Sequence, residues 1–263
     1  MHTSLFESVQ VAAPAHLKAL VNAELLAQLA PSGALRAGIN LSNFLLVTGR
    51  GEQGEPQGVA PDMAAAIAEV LGVDPVLVPF KGPGLLADAA QQHVWDIGLI
   101  GAEPARAKHI TFSSAYVEIE ATYLVREDSR FRNASEVDAT GVRIAVSQRT
   151  AYELWLTENL KHAELVLAEG FDGALERFNV DGLDALASLR PGLMTDVQKL
   201  PGTRILDGRF TAIQQAIGTH KGNAAAAHFL QAFSQYAITS GLVDALIQHH
   251  KVQGLNVAQA VAA

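Results

Sequence analysis

The chain has 263 residues, of which 49% are hydrophobic, so it can bury a substantial core in one large domain or two small ones and disorder is excluded. Its 19 Lys and Arg against 27 Asp and Glu give a net charge of −8, which argues against a nucleic-acid partner. No apolar run approaches the roughly 18 to 20 residues of a membrane span, so we expect a soluble protein. The absence of cysteine excludes disulfides, Cys-ligated zinc and thiol catalysis.

The first segment predicts a helix. Pro14 suits its first turn, and Pro31 lies beyond its end. One apolar stripe follows the helical period and contains Leu17, Leu20, Val21, Leu25 and Leu29. Two interpretations are open: this helix packs on the domain behind it, or it is an interaction or dimer helix through which the protein forms an oligomer.

Strands and helices then alternate with short joints marked by Gly or Pro, which is typical of an α/β protein. We predict strands at 34–41, 74–80, 96–101, 141–147, 163–168, 183–188 and 211–220. We predict helices at 61–72, 84–94, 151–160 and 171–179, and a last one through residues 229–237 that ends at Gly241. The tail shows no further alternation, so two related α/β lobes are expected.

The ordered set of segments carries a family resemblance. "LRAGIN", "GVAPDMAAAIAEVLGV", "WDIGLIG", "ARAKHITFSSAYVEIEATYLV", "GVRIAVSQRTAYELWL" and "IQQAIG" follow one another between Leu35 and Leu246. In this order they resemble the periplasmic solute-binding proteins that deliver polar amino acids to ABC importers, the bacterial extracellular solute-binding proteins of family 3. The resemblance covers nearly the whole chain after the first helix, although no single segment is decisive.

The resemblance implies a two-lobed type II periplasmic-binding-protein fold, with a central sheet flanked by helices in each lobe. Two crossing strands, near 122–125 and 213–218, would join the lobes, and hinge closure would capture the ligand between them. Lobe 1 would hold residues 1–124 and 215–263, and lobe 2 would hold 125–214. The resemblance further implies a small-molecule ligand with a carboxylate, and an ABC-importer membrane subunit as partner.

Arg106 lies between two strands, where similar proteins place the guanidinium that grips a ligand carboxylate. A planar fork of donors suits two carboxylate oxygens at once. The other interpretation is a solvated Arg on a loop. Glu103 replaces the hydroxyl residue usual in the family; it either faces solvent or receives a ligand cation and pairs with Arg106. Gly101 and Ala102 would supply backbone groups.

The stretch "SQRTA" at 147–151 joins a predicted strand to a predicted helix, whose N-terminus favours an anion. Similar proteins bind the same carboxylate there, so the Thr150 hydroxyl and the Ala151 amide are candidate donors. Thr150 as a simple N-cap is the alternative, and both roles are compatible. Arg149 stands where Gly is common, and either adds charge over the ligand or points outward.

Other positions depart from the family pattern. The Asp that usually holds a ligand ammonium is Leu189 here, and Arg190 next to it would repel such a group. Asn40 and Asn43 stand where an Asp and a stacking aromatic residue are frequent. Phe80, Gly82 and Pro83 are candidates for an apolar pocket wall, with a core position as the alternative for Phe80.

Two ligand classes follow from these departures. If Glu103 or Glu118 turns inward, a zwitterionic amino acid is still accommodated. If neither does, Arg106, Arg149 and Arg190 favour a monocarboxylate, a dicarboxylate or an acylated amino acid. We favour a carboxylate-bearing molecule without assuming a free amine.

We expect no enzymatic activity, cofactor or metal. The sequence has no Gly-x-Ser-x-Gly elbow, no His-Glu-x-x-His pair and no P-loop. His93, His109 and Glu103 are nominal acid–base candidates for a dehydratase-like alternative on the same fold. His249 and His250 are interpreted as a solvated pair, because adjacent helix residues face apart.

The location is open at this stage. The N-terminal 20 residues include Glu7, His16 and Lys18, so no secretory leader is visible. If Met1 is the natural start, the protein is expected to be a cytoplasmic ligand sensor or interaction protein. If Met1 replaces a removed leader, the family resemblance predicts a periplasmic protein.

Overall fold

The computed structural model describes residues 4–12 and 14–260. The chain divides into two compact units: unit 1 combines the residues up to Glu118 with those from Gln214 onward, and unit 2 is the continuous segment Ile119–Ile213. The boundaries predicted from the sequence lie at residues 124 and 214. Within the described ranges, no helix is long and apolar enough to cross a membrane.

The elements alternate as an α/β protein requires. The first part of the chain contains α1 (Leu5–Ser8), α2 (Ala15–Lys18), α3 (Ala23–Leu29), β1 (Ala34–Asn40), β2 (Gly49–Arg50), β3 (Pro56–Gln57), α4 (Val59–Leu71), β4 (Asp74–Phe80), α5 (Pro83–Ala89), β5 (Ile97–Gly101), β6 (Ile110–Phe112) and β7 (Val117–Arg126). There follow β8 (Arg143–Ser147), α6 (Ala151–Asn159), β9 (Glu164–Ala168), α7 (Gly170–Val180), β10 (Ala185–Leu189), α8 (Arg190–Lys199), β11 (Thr203–Ile205), β12 (Thr211–His220), α9 (Ala224–Thr239), α10 (Leu242–His249) and β13 (Asn256–Val257). The predicted α/β class is confirmed.

The sheet of unit 1 has the strand order β4, β1, β5, β12. Strand β1 runs parallel to β4 and to β5, whereas β12 is antiparallel to β5. Because parallel strands end at the same edge of a sheet, Asn40, Phe80 and Gly101 come to one edge. Candidate ligand residues follow each of these three strand ends.

Helix α4 is the central helix of the unit 1 core. It begins after Gly58, whose φ of 144° is costly for other residues, and an added Cβ there would lie 2.4 Å from the Leu46 carbonyl oxygen. It ends at Gly72 in the left-handed conformation, as the sequence predicts. Met63 and Ile67 are fully buried on α4. They belong to one apolar cluster with side chains of α3, α9 and α10.

The prediction of one continuous helix in the N-terminal segment is wrong. The chain forms two short helices there, α2 and α3, and the Asn22 side chain begins the second by accepting a hydrogen bond from the Leu25 N–H at 2.9 Å. Leu17, Leu25 and Leu29 are buried in the unit 1 core. The packing interpretation therefore agrees with the structure, and the proposed dimer stripe is covered by the protein itself.

The sheet of unit 2 has the strand order β7, β10, β8, β9, with β11 paired to β7. Strands β10, β8 and β9 are mutually parallel, so Ser147, Ala168 and Leu189 end at one edge. Phe178 and Leu193 are fully buried beneath this sheet, in a cluster separate from that of unit 1. Each unit therefore has its own core.

Three helices were absent from the sequence prediction: the one-turn helix α1, and the longer helices α8 and α10. Helix α8 starts immediately after β10, with Pro191 in its first turn, although the "LRPG" stretch resembles a turn. Helix α10 follows Gly241; the sequence predicts this glycine as the end of the last helix, and in the structure it starts a new one with φ 80°. Its buried Leu242, Val243 and Leu246 complete the unit 1 core.

Candidate ligand-binding site

Arg106 lies just beyond the carboxyl end of β5, in the short 3₁₀ turn Arg106–Lys108. It is 6% exposed, and its Nη1 donates a hydrogen bond to the Gly101 carbonyl oxygen at 2.7 Å. The N–H groups of Arg106 and Ala107 both donate to the Glu103 carbonyl oxygen at 3.0 Å, which closes the turn. The solvated-loop interpretation of Arg106 is therefore wrong, because the residue is buried and fixed to the strand end.

Glu103 is also buried, with 7% of its surface exposed, so the expectation that it faces solvent is wrong. The backbone groups next to it are engaged within unit 1. The Ala102 N–H donates to the Gln214 carbonyl at 2.8 Å, and the Gly101 carbonyl accepts from Arg106. These two backbone groups have protein partners, and a contribution of Gly101 and Ala102 to ligand binding stays a prediction.

Asn40 and Asn43 shape the turn that follows β1. The Asn40 Oδ1 accepts from the Ser42 hydroxyl at 2.8 Å and from the Ser42 N–H at 3.2 Å. Asn43 is buried, and its Oδ1 accepts from the Leu45 N–H at 3.3 Å. Both side chains have a local structural role, and ligand contact by either one stays a prediction.

Phe80 is half-buried and packs against a cluster that includes Leu86 and Trp95. This contact favours the core interpretation of Phe80. Gly82 is the N-cap of α5 in an extended conformation that any residue adopts, and Pro83 occupies the first turn. Neither residue requires a ligand to explain its place.

In unit 2, Thr150 is the N-cap of α6. Its hydroxyl donates to the Ser147 carbonyl at 2.8 Å and accepts from the Glu153 N–H at 3.2 Å. The N-cap interpretation is therefore confirmed, and it engages the hydroxyl. Ala151 is the first residue of the helix, so its amide belongs to the set that has no acceptor within the helix. This amide is the better donor for an anion.

Arg149 has a φ of 63°, in the left-handed region that favours glycine. The residue is exposed, and its N–H donates to Glu153 Oε2 at 2.8 Å. The Glu153 carboxylate is buried in the first turn of α6. The negative charge of Glu153 therefore offsets part of the positive potential at the N-terminus of α6, which would otherwise attract a ligand anion.

A group of hydroxyls at the ends of β8 and β10 was missed by the sequence analysis. Burial raises the pKa of the Tyr152 hydroxyl to about 12, while the hydroxyls of Ser188, Thr150 and Ser147 lie near enough to lower it in part. Among the described residues, no partner of this hydroxyl meets ordinary hydrogen-bond geometry. A buried hydroxyl at a strand-to-helix junction points to polar recognition, and the "SQRTAY" stretch could have indicated it.

Leu189 is buried at the end of β10, with 7% of its surface exposed. Arg190 begins α8, and its Nε donates to Glu120 Oε2 at 2.8 Å, while its Nη2 donates to the Gly208 carbonyl. Glu120 also accepts from Arg209 Nη1 at 3.3 Å. Because Glu120 is shared by Arg190 and Arg209, it offsets only part of the charge of Arg190, and the repulsion predicted from Arg190 is weakened in part.

The nominal catalytic groups do not form one cluster. His93 precedes β5 and its ring lies 4.3 Å from that of His220, whereas Glu103 follows the other end of β5. His109 is exposed, and its carbonyl accepts from the Lys221 N–H. The structure thus brings Glu103 together with Arg106 and leaves His93 at the far end of the strand.

Comparisons with known proteins agree with this architecture. The model of the bacterial extracellular solute-binding proteins, family 3, matches residues 39–252. The L-cystine-binding protein TcyJ of Escherichia coli is 23% identical over 218 residues, which are 82% of this chain and 82% of the relative. A cyclohexadienyl dehydratase of Pseudomonas aeruginosa is 31% identical over 140 residues, or 52% of each chain.

Among solved structures, a mutant of ArgBP from T. maritima superposes with a TM-score of 0.68 at 21% identity, covering 87% of this chain and 100% of that one. This likeness supports the two-lobed fold class predicted from the sequence. The family match extends over most of the chain, from within β1 to beyond α10. The chain therefore belongs to the bacterial extracellular solute-binding proteins, family 3.

Proposed function

We propose that this solute-binding protein captures a small carboxylate-bearing molecule and that Arg106 holds the carboxylate. The observation that supports this most is the burial of Arg106 at the carboxyl end of β5, where its guanidinium is anchored on the Gly101 carbonyl. A guanidinium has five N–H donors, so it can hold a backbone carbonyl and other acceptors together. Away from water, each charge-assisted bond is worth about 1.5 to 3 kcal/mol.

The Ala151 amide, at the N-terminus of α6, is proposed as a second anion donor. Its contribution is smaller than that of Arg106, since Glu153 already occupies part of the first turn. Arg149 and the Tyr152 hydroxyl are further candidates for contact.

The ligand class follows from the acidic side chains. Leu189 removes the usual ammonium anchor, which favours an organic acid or an acylated amino acid. Glu103 favours the opposite class, because a buried carboxylate suits a ligand that also carries a positive charge. We favour a carboxylate ligand without a required amine, and amino acids form the comparison class.

A thermal-shift screen tests this proposal. Carboxylates should stabilise the protein by RT ln(1 + [L]/Kd), and we expect deaminated analogues or dicarboxylates to give at least the shift of the matching L-amino acids. A clear preference for ordinary L-amino acids would contradict our interpretation of Leu189. Shifts produced by amines and neutral solutes, with none from carboxylates, would overturn the carboxylate proposal itself.

Delivery to an ABC importer is the role that we propose for the loaded protein. The dehydratase relative provides a specific reason to test one further activity. Loss of water from a cyclohexadienyl acid would be followed by mass spectrometry during the same incubations. Product formation that depends on Glu103 would support an enzyme, whereas an unchanged compound supports a binding protein.

A further inference from the structure

Three side chains in unit 1 converge where α4 begins and α10 ends. Asp62 lies in the first turn of α4, His249 is the last residue of α10, and His250 follows it. Each offers one ligand atom, and these atoms all lie within 4.8 Å of one another. The two imidazole rings are 4.9 Å apart, so the expectation that they face apart is wrong; it assumed a helix that continues through His250, and α10 ends before it.

We propose that Asp62, His249 and His250 bind a divalent transition-metal ion of the zinc class. Two imidazoles and one carboxylate suit zinc, and three protein ligands leave a fourth tetrahedral position for water or another donor. Calcium and magnesium prefer more oxygen ligands than this group supplies. The ion would tie the end of α10 to the start of α4.

The distances are compatible with an ion at the centre of the group. Bonds of about 2.0 to 2.1 Å in a tetrahedron place the ligand atoms about 3.3 Å from each other. The His250 Nε2 and Asp62 Oδ2 atoms are 2.7 Å apart, and the other pairs lie within 4.8 Å. Small rotations of the side chains therefore suffice to reach that spacing.

The backbone that carries the ligands is well fixed. Met63 and Ile67 of α4 and Leu246 of α10 are buried in the same apolar cluster. His249 is exposed, while Asp62 and His250 are half-buried, so an ion can enter from solvent. A rigid scaffold with an accessible face meets two requirements of a metal site.

A simple ion pair is the competing explanation. A carboxylate at a helix N-terminus and a protonated imidazole at a helix C-terminus each gain from the helix dipole. That explanation needs only Asp62 and His250, which already contact each other. Metal binding needs His249 as well, so this exposed residue separates the two explanations.

Zinc chloride is titrated into the full chain, without a His tag and after EDTA treatment, against a chromophoric chelator. We expect one zinc ion per chain, and at least a tenfold loss of affinity in His249→Gln and in Asp62→Asn. His228→Gln is the matched control, because it removes an exposed histidine of α9 and should leave affinity unchanged. Circular dichroism of the metal-free variants checks that each is folded.

Cobalt supplies an independent measurement. Binding at the proposed site should give the strong visible absorption of a tetrahedral ion, and His249→Gln should lose it. Zinc should also raise the melting temperature of the unsubstituted protein and not that of His249→Gln. Absence of saturable binding, or equal zinc affinity in His249→Gln and the unsubstituted chain, would overturn the proposal and leave the ion pair as the explanation.

Discussion

Arg106 and Glu103 show what a buried charge implies at the scale of one residue. Removing an ion from water costs several kcal/mol unless it has partners, so a buried charge is held in a fixed set of contacts. The Gly101 carbonyl is one such partner of Arg106. A site for a charged ligand is the role that we propose for the pair.

Arg106→Met should weaken carboxylate binding by about 3 kcal/mol, or about a hundredfold in Kd, because at least one charge-assisted pair is lost. Arg106→Lys keeps the charge and loses the planar fork, so an intermediate loss is expected. Isothermal titration calorimetry measures both, using a carboxylate found in the screen.

Lys108→Met is the matched control, since it removes an exposed cation from the same 3₁₀ turn. Its affinity should equal that of the unsubstituted protein. If Arg106→Met is folded and binds as tightly as this control, Arg106 does not contact the ligand.

At the scale of elements, local patterns predicted most of the secondary structure. Strand β4 and strand β12 have the predicted bounds, since β-branched and aromatic runs between turn residues define both. The wrong predictions concern the positions at which helices end. Gly241 starts α10 as well as ending the helix before it, and the N-terminal apolar stripe continues across a break in the helix.

Asn22 gives a test of that break. Asn22→Ala should lower the free energy of unfolding by about 1 kcal/mol, because the Leu25 N–H at the start of α3 loses its acceptor. Asn22→Asp keeps an acceptor and should retain most of the stability. Urea denaturation of the three proteins compares them; equal stability of Asn22→Ala and the unsubstituted chain would show that this cap contributes nothing.

At the scale of the whole molecule, unit 2 is a continuous segment inserted into unit 1, and each has a separate apolar cluster. The chain enters unit 2 through β7 and returns to unit 1 through β12. Each of these long strands contains residues of both units. Residues far apart in sequence therefore build unit 1, as in the Ala226 N–H that donates to Gln28 Oε1 at 2.9 Å.

The free energy of unfolding should fall as the pH is lowered. Burial lowers the pKa of His220, and the Trp95 carbonyl, 2.5 Å from its Nε2, opposes this only in part. The folded state therefore prefers neutral His220, so this contribution is present above the unfolded pKa of about 6.5 and is lost as the pH falls through the lower folded value.

Chemical denaturation at about pH 8 and about pH 5 measures the effect, and the window follows from the ordinary His pKa of about 6.5. His220→Gln should lose less stability between the two conditions than the unsubstituted protein does. His228→Gln, at an exposed position, should behave like the unsubstituted chain. An equal loss in His220→Gln would remove His220 as the source.

The sequence by itself determined most of the strands and helices, because they depend on periodicity, caps and turn residues within a few positions of each other. The family, and Arg106 as a candidate anion site, followed from the resemblance of the ordered segments to known proteins. Only the tertiary structure decided that Glu103 is buried, that Glu120 pairs with Arg190, and that Asp62 meets His249 and His250. Burial and charge pairing join residues from distant parts of the chain, so local patterns cannot specify them.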